Sequence, residues 1–177
     1  MTQIDRTPLR RRALLLGLGG AAVALAVRKL PAQQASMQEK PSTGSRANLT
    51  ALHYELDFAV PPQRIYRLLL DATQFAAMTG MAAAIDATVG GAFALFGKMI
   101  EGRMVELVEN ARVVQAWRPA SWDPGVYSIA HFELKARGSE STLIFDHTGF
   151  PSGLADHLDA GWKGHYWEPM KKFFAHG

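Results

Sequence analysis

From residue 85 to residue 148 the chain is written in short, alternating apolar runs broken by Gly, Pro, Asn and Asp. The runs cover 85–89, 92–96, 100–108, 112–118, 126–136 and 142–148. Each has the length and period of a strand, and the breaks between them are too short for a helical crossover. Successive strands must therefore be antiparallel neighbours in one sheet, and the apolar face of that sheet needs a cover. The cover is a helical pattern from about Asp159 to Phe174, around GWKGHYWEPMKKFF. At about 100° per residue, Trp162, Tyr166, Trp167, Met170, Phe173 and Phe174 share an arc of about 140°, with Lys163 alone intruding on it. Lys171, Lys172, Glu168, Gly164 and His165 take the other side, so His165 is expected to face water. Pro169 withholds an N–H from the Gly164–His165 turn and is expected to bend the helix there.

Upstream, residues 52–60 alternate as a further strand, ended by Pro61-Pro62. Pro62 suits the first position of a helix on which Ile65, Leu68 and Leu69 fall on one side. A second short helix is expected over 74–79, closing at Gly80. A strand, one or two helices, an antiparallel run and a long closing helix make an α+β chain. One curved sheet wrapped around that helix, with a cavity between them, satisfies the order.

The first 50 residues are of another kind. Arg10, Arg11 and Arg12 precede an apolar run from Ala13 to Val27 that Arg28 and Lys29 close. Fifteen helical residues reach roughly 22 Å, short of a bilayer core of about 30 Å. Arg11-Arg12-Ala13-Leu14-Leu15 resembles the twin-arginine export signal of bacteria. Residues 1–32 are therefore expected to be an export signal cut near Ala32–Ala35, and 33–50, polar with Pro41 and Gly44, a flexible linker. The mature domain, 51–177, is expected in the periplasm or cell envelope, touching membrane only through the signal. The alternatives are a cytoplasmic chain and one anchored by an uncleaved leader. The charge agrees: residues 1–30 carry +5 and the remainder −2. The positive charge sits in the leader rather than on a folded surface that could neutralise phosphates, so no nucleic-acid partner is expected. With no Cys, disulfides, thiolate metal sites and Cys nucleophiles are excluded.

Several spaced segments carry a resemblance. They are the run Gly90-Gly91-Ala92-Phe93-Ala94-Leu95-Phe96-Gly97, then Gly102, then Val113-Val114-Gln115-Ala116-Trp117-Arg118. Asp146-His147-Thr148-Gly149-Phe150-Pro151, Gly161-Trp162 and Tyr166-Trp167-Glu168-Pro169 continue the series. In this order, over roughly residues 52–175, they resemble the Hsp90 ATPase activator homologue family. The resemblance implies a START-like, Bet v 1-like helix-grip fold around a hydrophobic cavity. Lys98-Met99 stands where the family often shows a further Gly, and a leader stands where the eukaryotic co-chaperones carry a domain for grasping the chaperone. An exported chain also leaves the compartment of Hsp90 and ATP, so a chaperone partner is not expected.

Within the domain, His147 shares a strand face with Leu143 and Phe145, and Trp117 shares one with Val113 and Gln115. His147 is either a polar anchor for a ligand or a core His bonded within the protein; Trp117 either lines a cavity or fills the core. Ser128 and Ala130, on a face with Val126, Phe132 and Leu134, either leave volume for a ligand or receive the rings of the last helix. The candidate ligand-facing set is Phe93, Trp117, Phe132, Phe145, His147, Trp162 and Tyr166. The six His are scattered; no HExxH, EF-hand, GxSxG or phosphate-binding loop occurs, and no acid/base pair can be placed by spacing. No metal, cofactor or catalytic residue is therefore expected. The expected function is an exported binding protein for an apolar or amphipathic small molecule. The alternatives are a co-chaperone-type adaptor and a superfamily-type enzyme using His147 as acid or base.

Overall fold

A computed structural model describes residues 48–176. The expected export signal and nearly all of the expected linker lie outside the described residues. Strand β1 (Ala51–Phe58) leads into α1 (Pro62–Leu70) and α2 (Ala72–Thr79), followed by β2 (Ala84–Ile85), β3 (Ala92–Leu95), β4 (Ile100–Val108), β5 (Arg112–Pro119), β6 (Ser128–Arg137) and β7 (Glu140–Thr148). Helix α3 (Ala155–Trp162) continues through a π-helical turn (Lys163–Trp167) into α4 (Glu168–Ala175). The seven strands form one antiparallel sheet in the order β1-β7-β6-β5-β4-β3-β2. This is the α+β helix-grip architecture: a curved sheet closed over its C-terminal helix, with a cavity between them.

Local chemistry accounts for the elements. Pro62 opens α1, whose Ile65, Leu68 and Leu69 are buried as their spacing requires. Asp71 caps α2, its Oδ1 accepting from the Thr73 and Gln74 amides at 2.8 and 3.0 Å, a contact worth about 1 kcal/mol. Gly80 ends that helix at φ 70°. Beyond Ile85 the expected strand stops, because local bonds compete with the ladder: the Thr88 hydroxyl donates to Asp86 and the Gly91 amide to the Thr88 carbonyl. Helix α3 starts four residues before the expected Asp159, at Ala155. No side chain caps it; buried Ala155 and Leu158 hold the extra turn by packing.

The inward faces are those read from the alternation. Val113, Gln115 and Trp117 of β5, Ser128, Ala130, Phe132 and Leu134 of β6, and Leu143, Phe145 and His147 of β7 are all buried. The register skips Val105 between Met104 and Glu106, a bulge of the kind that bends a strand around its cover. Gly102 pairs with Phe93 of β3 on one side and with Trp117 of β5 on the other. A Cβ at Gly102 would lie 2.0 Å from the Ala116 carbonyl and 2.4 Å from the Phe93 ring, so the ring of Phe93 lies against the glycine backbone.

The helix widens in the turn before Pro169, which has no N–H of its own to donate back. In the π-helical turn the Glu168 amide reaches back five residues to the Lys163 carbonyl. Five residues of regular α-helix would leave Trp162 and Trp167 about 140° apart. The wider turn brings both onto the sheet, their rings stacked at 5.5 Å with 18° between planes. Trp162, Tyr166, Trp167 and Met170 are buried, while Phe173 and Phe174 are half-buried and Lys163 and His165 exposed.

Candidate functional site

Trp162 is the centre of the packed interior. Its ring lies 4.3 Å from Phe145 and from Tyr166, 5.4 Å from Trp117 and 5.3 Å from His147. Its Nε1–H donates to His147 Nδ1 at 2.9 Å. An indole N–H can only donate, so His147 Nδ1 carries no proton in that bond, and the neutral ring holds its proton on Nε2. His147 Nε2 sits 2.7 Å from Ser128 Oγ, which in turn donates to the Trp117 carbonyl at 3.0 Å. The chain of donation runs from Trp162 to His147 to Ser128 to the β5 backbone. Burial lowers the His147 pKa to about 3, which keeps the ring neutral. Both nitrogens are spent inside the protein, so this imidazole presents no free lone pair to a bound molecule.

The free space lies at one end of this interior. A cavity of about 700 Å³ opens between β4–β5 and the closing helix. Ile100 and Trp117 form its sheet side; Leu158, Gly161, Trp162 and Tyr166 form its helix side. Phe96, Lys98 and Met99, from the β3–β4 turn, make a lip, and Pro119, Ala120 and Ser121 close the far edge. The Ala120 amide ties that edge to the lip through the Met99 carbonyl at 2.8 Å. Arg118 braces the loop behind it: its guanidinium donates to the Trp122 and Asp123 carbonyls and pairs with Glu101 at 2.5 Å. His157 and His165 stand at the mouth. The Tyr166 hydroxyl accepts from Trp117 Nε1 at 3.5 Å, and burial pushes its pKa up. No acceptor for its own proton is present among the described residues.

Of the seven ligand-facing candidates, Trp117, Trp162 and Tyr166 line this cavity. Phe132, Phe145 and His147 lie behind Trp162 in the packed core, and Phe93 is committed to Gly102. The small residues of β6 receive rings and hydrogen bonds: Ser128 holds His147, and Ala130 is wholly buried. Sequence reasoning missed Leu158 and Gly161 on the helix wall and the lip of Phe96, Lys98 and Met99. The lip shows itself only in the backbone, where Phe96, Gly97 and Lys98 all take positive φ, at 53°, 64° and 75°, and no period in the sequence announces it. Among the described residues, no group of three His, Cys, Asp or Glu is placed to hold a metal ion.

The family described as "Activator of Hsp90 ATPase homolog 1-like protein" matches residues 59–175. An uncharacterized protein of Schizosaccharomyces pombe is 30% identical over 140 residues, 77% of this chain and 42% of that protein. The human activator of 90 kDa heat shock protein ATPase homolog 1 is 26% identical over 120 residues, 68% of this chain and 36% of its own length. The chain thus spans about two-fifths of the length of these relatives. In three dimensions an HSP90 activator from Plasmodium falciparum superposes with a TM-score of 0.69 at 21% identity, covering 72% of this chain and 97% of that one.

Proposed function

The chain belongs to the family of Activator of Hsp90 ATPase homolog 1-like proteins, and from that premise we propose that it is a small binding protein for an apolar or amphipathic molecule. The molecule sits between the end of the sheet and the C-terminal helix. The observation that carries this reading is the cavity of about 700 Å³, walled by Ile100, Trp117, Leu158, Trp162 and Tyr166. Its volume falls in the range of small-molecule sites, and its wall combines aromatic surface with the hydroxyls of Tyr166 and Ser121. Apolar surface removed from water gains about 25 cal/mol per Å². An occupant burying on the order of 300 Å² therefore gains about 7 kcal/mol before its ordering cost.

Gly161 offers a clean test. It lines the cavity, and a Cβ added there meets nothing within 4 Å. Gly161→Leu fills space while improving the helix by about 0.5–1 kcal/mol, since Gly is the poorer helix former. Nile red, an uncharged apolar dye, is expected to bind the wild type and to bind the variant at least about tenfold more weakly, while the variant melts no lower. Equal binding by the two proteins overturns the reading.

The same proposal places the binding role outside the cytoplasm, on the strength of Arg11-Arg12-Ala13-Leu14-Leu15 and the apolar run after it. Relatives named as activators of the 90 kDa heat shock protein ATPase favour a second reading, a co-chaperone-type adaptor. One experiment separates them. A reporter fused to residues 1–40 is expected to leave the cytoplasm, and to stay there when Arg11 and Arg12 are both changed to Lys. Retention of the unaltered fusion favours the adaptor.

A further inference from the structure

The rim of the cavity carries one formal cation, Lys98, beside two histidines and no carboxylate. Lys98 reaches it from the β3–β4 turn, His157 from α3 and His165 from the π-helical turn, so three separate elements each bring a nitrogen base to the same mouth. All three side chains are exposed, and none has an ion-pair partner among the described residues. No Asp or Glu is among the residues lining the cavity. Two of the carboxylates near it are engaged: Glu101 pairs with Arg118, and Asp159 pairs with Lys163 at 2.8 Å and bonds the Tyr54 hydroxyl. The wall beneath the rim is apolar. A second surface cavity, of about 610 Å³ between α1 and the β4–β5 turn, lacks this polarity, since Arg67 shares it with Asp71 and Glu109.

We infer that the cavity selects an anionic amphiphile, a single apolar body ending in a negatively charged head such as a carboxylate. The inference rests on the binding reading above and adds the sign of the head group. The body lies along Trp117, Ile100 and Leu158, and the head stays at the mouth, partly hydrated, within reach of the Lys98 ammonium. Leaving the head in the wet rim avoids the cost of burying a charge. A charge pair formed there is screened and modest, worth on the order of 1 kcal/mol, or about fivefold in affinity.

Three ligands of one chain length separate the possibilities: dodecanoate, dodecanol and dodecylamine, each titrated below its micelle concentration against bound Nile red. Dodecanoate is expected to displace the dye at about fivefold lower concentration than dodecanol, with dodecylamine the weakest. Lys98→Glu, at an exposed position, is expected to lower the dodecanoate-to-dodecylamine affinity ratio by at least about tenfold. Equal displacement by all three overturns the anionic assignment and leaves the binding reading standing, as does an order led by the amine. Displacement by none of them, with no dye bound in the first place, overturns the binding reading itself. A ratio unmoved by Lys98→Glu overturns the role given to the basic rim.

Discussion

Trp162→Ala is expected to destabilise the domain by about 5 kcal/mol, read as a fall in the urea midpoint with little change in slope. The largest share is the lost ring. Trp162 is 2% exposed, stacks on Trp167 and packs at a tilt against Phe145, Tyr166 and Trp117, and deleting a buried Trp side chain costs about 3–5 kcal/mol. A further about 1–3 kcal/mol comes from His147, whose Nδ1 would be left buried without its donor. Trp162→Phe separates the two terms. It restores much of the ring and removes only the N–H, so its cost should approach the second figure. A domain at the lower end of the ordinary margin of about 5–15 kcal/mol would survive the Phe variant and stand near unfolding in the Ala variant. A loss below about 1 kcal/mol for Trp162→Ala would show that the ring does not hold the interior together.

The second large effect is a pH dependence carried by His147. The unfolded chain takes up a proton on this imidazole near pH 6.5, whereas burial delays uptake in the folded state to about pH 3. Below 6.5 the unfolded state therefore binds the extra proton. The stability that His147 contributes is complete above 6.5 and falls as the pH drops towards 3. At 1.36 kcal/mol per unit, the loss is about 2 kcal/mol between pH 6.5 and 5. Other groups leave that window clear. The Thr142 hydroxyl and Arg137 lower the Asp57 pKa, and the Gln74 and Thr73 amides lower that of Asp71, so both lose their contribution only below about pH 4. His53 works in the opposite direction. Its hydrogen bond to Asp146, 2.7 Å long, raises its pKa, giving stability at low pH that fades on the alkaline side, but the pair is solvent-exposed and screened. His147→Gln, which can still accept from Trp162 and donate to Ser128, should flatten the slope between pH 5 and 6.5. An unchanged slope in that variant would mean that the acid sensitivity belongs to another group.

What the sequence reveals follows from what a repeat can encode. Alternation along residues 142–148 turns His147 inward with Leu143 and Phe145, and helical spacing turns Trp162, Tyr166 and Met170 onto the sheet. Neither period says which inward side chains touch. The bond between His147 and Trp162 joins two elements through tertiary packing, so the choice between a ligand-anchoring and a core His was open until the packing was known. The position of the free space was equally hidden. Ser128 and Ala130 mark small side chains, but the rings of the closing helix fill that volume, and the cavity lies where the β3–β4 turn and residues 119–121 leave the sheet. Turns have no period to read, which is why Phe96, Lys98 and Met99 escaped the candidate set while Trp117, Trp162 and Tyr166, on periodic elements, were found. Pro169 was legible as a perturbation of the helix. That it would place Trp162 and Trp167 on one face required the five-residue hydrogen bond from Glu168 to Lys163.

Native mass spectrometry on the protein purified without detergent from its own cells asks the central question most directly. If the cavity is a binding site, the folded wild-type domain carries the added mass of a small apolar or amphipathic molecule, and Gly161→Leu, prepared in the same way, carries none. A wild-type mass equal to the bare polypeptide, or an adduct retained equally by Gly161→Leu, would contradict it.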